Sequence, residues 1–113
     1  MAYSIVAGGA GKTLTLTVKD ANNNIVGSPG TVTWSHSVVN SATGGVPDAV
    51  PDQTLVSRSV STGLSCTITP TSNTNKTGRA IVTAVCGEAK SVFHFEVKPP
   101  TYNPANPAYF EVS

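Results

Sequence analysis

Several stretches of this chain carry residue types that could do chemistry, and each fails on spacing or context. The run GGAGKT at 8–13 ends like a phosphate-binding loop. That loop needs a glycine five residues before Gly11, where Val6 stands, and a helix after the lysine to aim its amides at the phosphate. Here TLTLTV alternates like a strand, so the glycines read as a flexible turn. DANNN at 20–24 imitates the start of a calcium loop, but Ile25 and Thr31 fall where glycine and glutamate are required. A turn closed by Asx hydrogen bonds is the better reading, with a lone cation held partly by Asp20 as the alternative. Neither stretch implies a cofactor.

His36 and His94 are the only imidazoles. No G-x-S-x-G elbow is present and nothing places an acid behind either ring, so no nucleophilic triad is expected. His94 falls on the polar face of its strand with Glu96 two residues on, a solvated arrangement. His36 shares a face with Trp34 and caps the edge of a core. The six acids (Asp20, Asp48, Asp52, Glu88, Glu96, Glu111) are scattered, with no glycosidase-like pair. Cys66 and Cys86 each sit on the apolar face of a strand. Antiparallel pairing of those strands would leave them about 13 Å apart in height at ~3.3 Å per residue, too far for a disulfide. Two buried thiols are favoured, and a register error would reopen the bond. With two histidines and two inward cysteines there is no metal-ligand spacing. Asn75-Lys76-Thr77 fits a glycosylation pattern but reads as a polar loop. The chain is expected not to be an enzyme.

Aromatic residues near the ends are harder to absorb. Tyr102, Tyr109 and Phe110 lie in the Pro-rich tail PPTYNPANPAYFEVS, which should leave the domain as an extended arm. From Pro99 it could reach about 45 Å at ~3.1 Å per residue. Such an arm folds back on its own domain or docks on another chain, and buried aromatics carry much of the energy of a contact. These three, with Tyr3 in the first strand, are the candidate partner-binding residues.

Composition sets the frame for these residues. At 113 residues the chain is expected to be one domain, 1–98, followed by the arm, 99–113. Charged residues make up 12%, about half the usual share. Val, Thr and Ser dominate, which favours strands over helices. A net charge of +1 gives no footprint for nucleic acid or an anionic membrane. Met1 is followed by neither a basic start nor a long apolar run, so no signal peptide or membrane span is expected.

The alternation of apolar and polar residues then gives the elements. The region 79–98 reads as two strands around a Cys86-Gly87-Glu88-Ala89 turn with a longer loop, with Ala80, Val82, Ala84, Phe93, Phe95 and Val97 facing one way. Further strands are expected at 3–7, 13–19, 31–37, 54–61 (an edge) and 63–69, with Leu64 inward, and 38–53 is read as a long loop. Leu14, Leu16, Trp34, Phe93 and Phe95 are the expected core. About seven short strands with regular turn signals make an all-β, immunoglobulin-like sandwich.

Three pieces in order, LTLTVKDANNNIV, GTVTWS and GRAIVTAVCGEAKSVFHFEV, resemble bacterial immunoglobulin-like domains of group 2. These are the modules of intimin- and invasin-type adhesins and of phage virion proteins. The likeness covers about 12–37 and 63–98 and rests on the alternating strand, the Asp-to-Asn turn, the V-T-W-S strand and the closing hairpin. Residues 38–53 and the arm depart from it. The resemblance implies a structural or interaction role. A short chain with its own Met1, low charge and an exit arm suits a virion subunit, most readily a capsid decoration protein. The expected partners are capsid or tail subunits, or other copies of itself. The alternatives are an adhesion or carbohydrate-binding module and a tail or collar component.

Overall fold

A computed structural model describes residues 1–100; residues 101–113 of the arm, with Tyr102, Tyr109 and Phe110, lie outside the described residues. The described strands are β1 (Ala2–Val6), β2 (Lys12–Thr15), β3 (Thr33–Thr43), β4 (Val46–Pro47), β5 (Val56–Arg58), β6 (Ser65–Pro70), β7 (Lys76–Cys86) and β8 (Ala89–Lys98). They form one sheet in the order β1-β8-β7-β3-β4 and a second in the order β2-β6-β5. Neighbours run antiparallel except β1 and β8, which are parallel. The chain is therefore an all-β, immunoglobulin-like sandwich: second, fifth and sixth strands in one layer face a layer with the seventh between the third and eighth. Among the described residues no helix is long and apolar enough to cross a membrane.

β7 and β8 form the spine of the larger sheet, pairing from Gly78↔Val97 to Cys86↔Ala89. Their connection is tighter than the longer loop expected, because only Gly87 and Glu88 are unpaired. Gly87 has φ +58° at the first central position, the type II′ pattern whose twist matches that of the strands. Alternation along both strands buries Ala80, Val82, Ala84, Phe93, Phe95 and Val97. Trp34 stacks on Phe93 with centroids 6.1 Å apart, and Tyr3 on Phe95 at 5.3 Å. The smaller sheet closes the core from the other side with Leu14, Cys66 and Ile68, while Leu16 packs on it half-buried.

The long loop read at 38–53 is instead largely ordered by strands. β3 runs on to Thr43 and turns into β4 through Gly44 and Gly45. A β-bulge between Val38 and Asn40 shifts the alternation there. Asn40 consequently points out where period two would turn it in, and the next inward position falls on Ser41, 5% exposed. A bulge breaks period two, which is why the sequence pattern stops short at this point. Opposite it, Gly78 has φ +153°, and a Cβ there would strike the Asn40 carbonyl and lie 2.8 Å from the Ser41 Cα.

Other boundaries moved for want of a pairing partner. β2 ends at Thr15 because β6 begins only at Ser65, yet Leu16 still donates to the Leu64 carbonyl at 2.8 Å. Lys19 and Ile25 then meet in an isolated bridge across the Asp20 turn. The strand expected at 54–61 is only β5, at a sheet edge. Leu64 lies just ahead of β6 and is 41% exposed, not inward. Cys66 and Cys86 stand in opposite sheets as free thiols. Their Sγ atoms approach the carbonyls of Val60 and Pro29, at 3.7 Å and 3.2 Å.

Candidate functional site

The polar groups that resist burial collect at the open sides and one end of the sandwich. At that end Lys76, the first residue of β7, sends its ammonium into the β3–β4 corner. Its three donors meet Thr43 Oγ1 at 2.7 Å, Asp48 Oδ2 at 3.0 Å and Asp52 Oδ2 at 3.0 Å. Asp48 also accepts from Ser41 Oγ at 2.5 Å and Thr43 Oγ1 at 2.9 Å. Asp52 caps the backbone and hydroxyl of Thr54.

Each charged group in this clamp is held in its ionised form. Hydrogen bonds from Ser41, then Lys76 and Thr43, lower the Asp48 carboxyl. Those from Thr54, then Lys76, bring Asp52 down to about 2. The two carboxylates in turn raise the Lys76 ammonium. The acids read as scattered thus include a pair gathered by one lysine. Nothing local in the sequence links Lys76, in a stretch that reads as a polar loop, to Asp48 or Asp52.

His36, half-buried on the inner face of β3, stands on one open side. Arg58 Nε on β5 donates to His36 Nδ1 at 2.8 Å, and Arg58 Nη1 donates to the Val60 carbonyl at 3.1 Å. A ring nitrogen that accepts carries no proton, so this bond requires neutral imidazole. Burial, then the Arg58 charge, lowers the His36 pKa below its ordinary value. Beside it lies an open cleft of about 500 Å3 lined by His36, Gln53, Val56, Arg58, Val60 and Ser61, among others. Only tertiary structure brings Arg58 and Gln53 to His36, and no local sequence signal marks either.

β1 forms the other open side. The carbonyl of Met1 accepts from His94 and the amide of Ala7 donates to Lys98, so Tyr3 and Ile5 between them face β8. Ala2, Ser4 and Val6 therefore turn their backbone groups outward, and among the described residues only the Val6 carbonyl of these is taken, by Gly9. Tyr3 lies just inside this edge, with Lys12 Nζ 5.5 Å from its ring centroid.

The remaining candidates stay apart. His94 is exposed on the outer face, opposite Ile81 and Ala2. The glycine run 8–11 is a turn leading directly into β2. In the 20–24 turn, Asp20 Oδ1 accepts from the amides of Asn24 and Asn22, both at 2.9 Å, and these bonds lower its pKa, Asn24 most. Asn23 sits there at φ +67°. Among the described residues no three His, Cys, Asp or Glu side chains gather as a metal site.

The geometry defines an immunoglobulin-like sandwich with a charged clamp at one end and two unequal open sides. Compared with known proteins, the chain matches no protein-family model and no curated protein.

Proposed function

We propose that this chain is a structural subunit that works by docking, most specifically a phage capsid decoration protein that grips the shell through a sandwich edge and its terminal arm. The observation that carries this reading is the bare edge of β1. Its outward groups at Ala2 and Ser4 are unpaired among the described residues, and the strand AYSIV has no proline, lysine or bulge of its own. Such an edge is a template for another chain, which soluble β proteins ordinarily blunt. The resemblance of 12–37 and 63–98 to bacterial immunoglobulin-like domains of virion proteins supplies the context. Tyr109 and Phe110 in the arm supply apolar anchors by residue type.

The titratable groups favour a non-enzymatic role. Asp48, Asp52 and Lys76 are consumed in the clamp, and His36 in its bond to Arg58. A second reading, an adhesion or saccharide-binding module, draws on the hydroxyl-rich cleft beside Arg58, with Ser57, Ser59 and Ser61 on its wall.

The deciding experiment sediments lysate from the native source and follows the chain by mass spectrometry. Movement with virion-sized particles at fixed stoichiometry is the expected result. A free monomer, or a chain confined to the cell envelope, would end the decoration reading.

A further inference from the structure

The outer edge of β3 is closed unevenly. Trp34 donates its amide to the Ser61 carbonyl at 2.9 Å, which fixes which way the strand's groups point. His36 and Val38, two and four residues on, must then aim their amides and carbonyls away from β7 as well. At Val38 a side chain fills the place of a strand. The Gln53 carboxamide accepts from the Val38 amide at 3.0 Å and donates to the Val38 carbonyl at 3.2 Å. That is the two-bond exchange a paired antiparallel residue would make. At His36, between the Ser61 carbonyl and the Gln53 plug, neither backbone group has a partner among the described residues. The cleft opens at this gap.

The charge of the cleft is one-sided. Among the described residues Arg58 is its only permanently charged lining residue, and no carboxylate lines it. With Nε committed to His36 and Nη1 to Val60, the Nη2 end of the guanidinium is unpartnered among the described residues. Asp52, next in sequence to Gln53, is engaged by Lys76 and Thr54.

We propose that this cleft docks an extended peptide bearing a carboxylate, which adds as a short strand against His36 and is anchored through its acid by Arg58. The peptide's backbone takes the unpaired amide and carbonyl of His36, and displacing the Gln53 carboxamide extends the pairing to Val38. Arg58 favours an acidic side chain over a neutral or basic one in the same register. This deepens the docking reading above by naming the chemistry of the partner segment, and it rests on that reading only for who supplies the segment.

The test titrates the isotope-labelled full chain with three capped peptides, Ac-TVEVT-NH2, Ac-TVQVT-NH2 and Ac-TVKVT-NH2, following backbone amides by NMR. The acidic peptide should shift His36, Val38 and Gln53 saturably and bind about two- to fivefold tighter than the glutamine peptide. Arg58→Gln should erase that preference, and Gln53→Ala should tighten binding of the acidic peptide by removing the plug. Methylating the peptide nitrogen that faces His36 should abolish binding to the unaltered chain. Absence of shifts at these amides, equal binding of all three peptides, or undiminished binding of the methylated one would overturn the proposal. So would a neutral oligosaccharide that moved the same amides while the peptides did not. Peptide binding that persists in a chain found not to travel with particles would sink the decoration reading and leave this site standing.

Discussion

Arg58 Nε donates to His36 Nδ1 at 2.8 Å, joining the edge of the three-stranded sheet to the five-stranded one through a bond that only neutral imidazole can accept. The folded-state pKa of His36 lies below its ordinary 6.5, so across that window the unfolded chain binds more protons. The contribution is complete above about pH 6.5 and fades as pH falls through the folded value. Urea denaturation should give lower stability at pH 5 than at pH 7.5. His36→Gln should remove part of that slope; an unchanged slope would show that His36 is not its source.

The clamp has a different pH signature. Asp48 and Asp52 titrate below their ordinary values, so their contribution is present above about pH 4 and is lost as pH falls toward about 2, where Asp52 titrates. Lys76 is raised, so its part persists below about pH 10.4 and is lost only in strong alkali. Lys76→Met should raise the Asp52 pKa from about 2 toward 3.8, read by NMR titration of the carboxyl carbon. An Asp52 pKa that stayed put would assign its depression to Thr54 alone.

Glycines with similar roles in sequence should differ sharply on substitution. Gly78→Ala meets the Asn40 carbonyl and the Ser41 Cα at φ +153°, and should cost about 2 kcal/mol or more in chemical denaturation. Gly27→Ala meets nothing within 4 Å and should stay within about 0.5 kcal/mol of the parent. Equal effects would mean the bulge opposite Gly78 relaxes freely.

Trp34 is 2% exposed, stacks on Phe93 and donates Nε1–H to the Gly63 carbonyl at 2.7 Å. Trp34→Ala should cost about 3–5 kcal/mol, measured from denaturation midpoints. Trp34→Phe keeps much of the apolar bulk but leaves the Gly63 carbonyl without this donor, adding about 1 kcal/mol to the packing loss. A neutral alanine variant would contradict the core assignment.

Much of the sandwich was legible because period two is a local signal. Alternation in 79–98 placed Ala80, Val82, Phe93 and Phe95 on one face, and they are buried together. The signal failed where geometry departs from two. After Val38 the bulge moves the inward position from Asn40 to Ser41, and at Leu64 the residue falls just short of its strand. The strands expected to end at Lys19 and Ser61 end at Thr15 and Arg58 for a related reason: a strand stops where its neighbour does, and the neighbour is remote in sequence.

The sequence by itself determined the all-β class, the closing hairpin and the turns at Asp20 and Gly87, since all of these rest on residues within a few positions of one another. Tertiary structure alone decided that Lys76 gathers Asp48 and Asp52, that Arg58 meets His36, and that Gln53 plugs the β3 edge. Those partners are 15 to 28 residues apart along the chain. Their meeting depends on sheet order and the bulge register. No local pattern encodes contacts that exist only once two sheets have closed on a shared core.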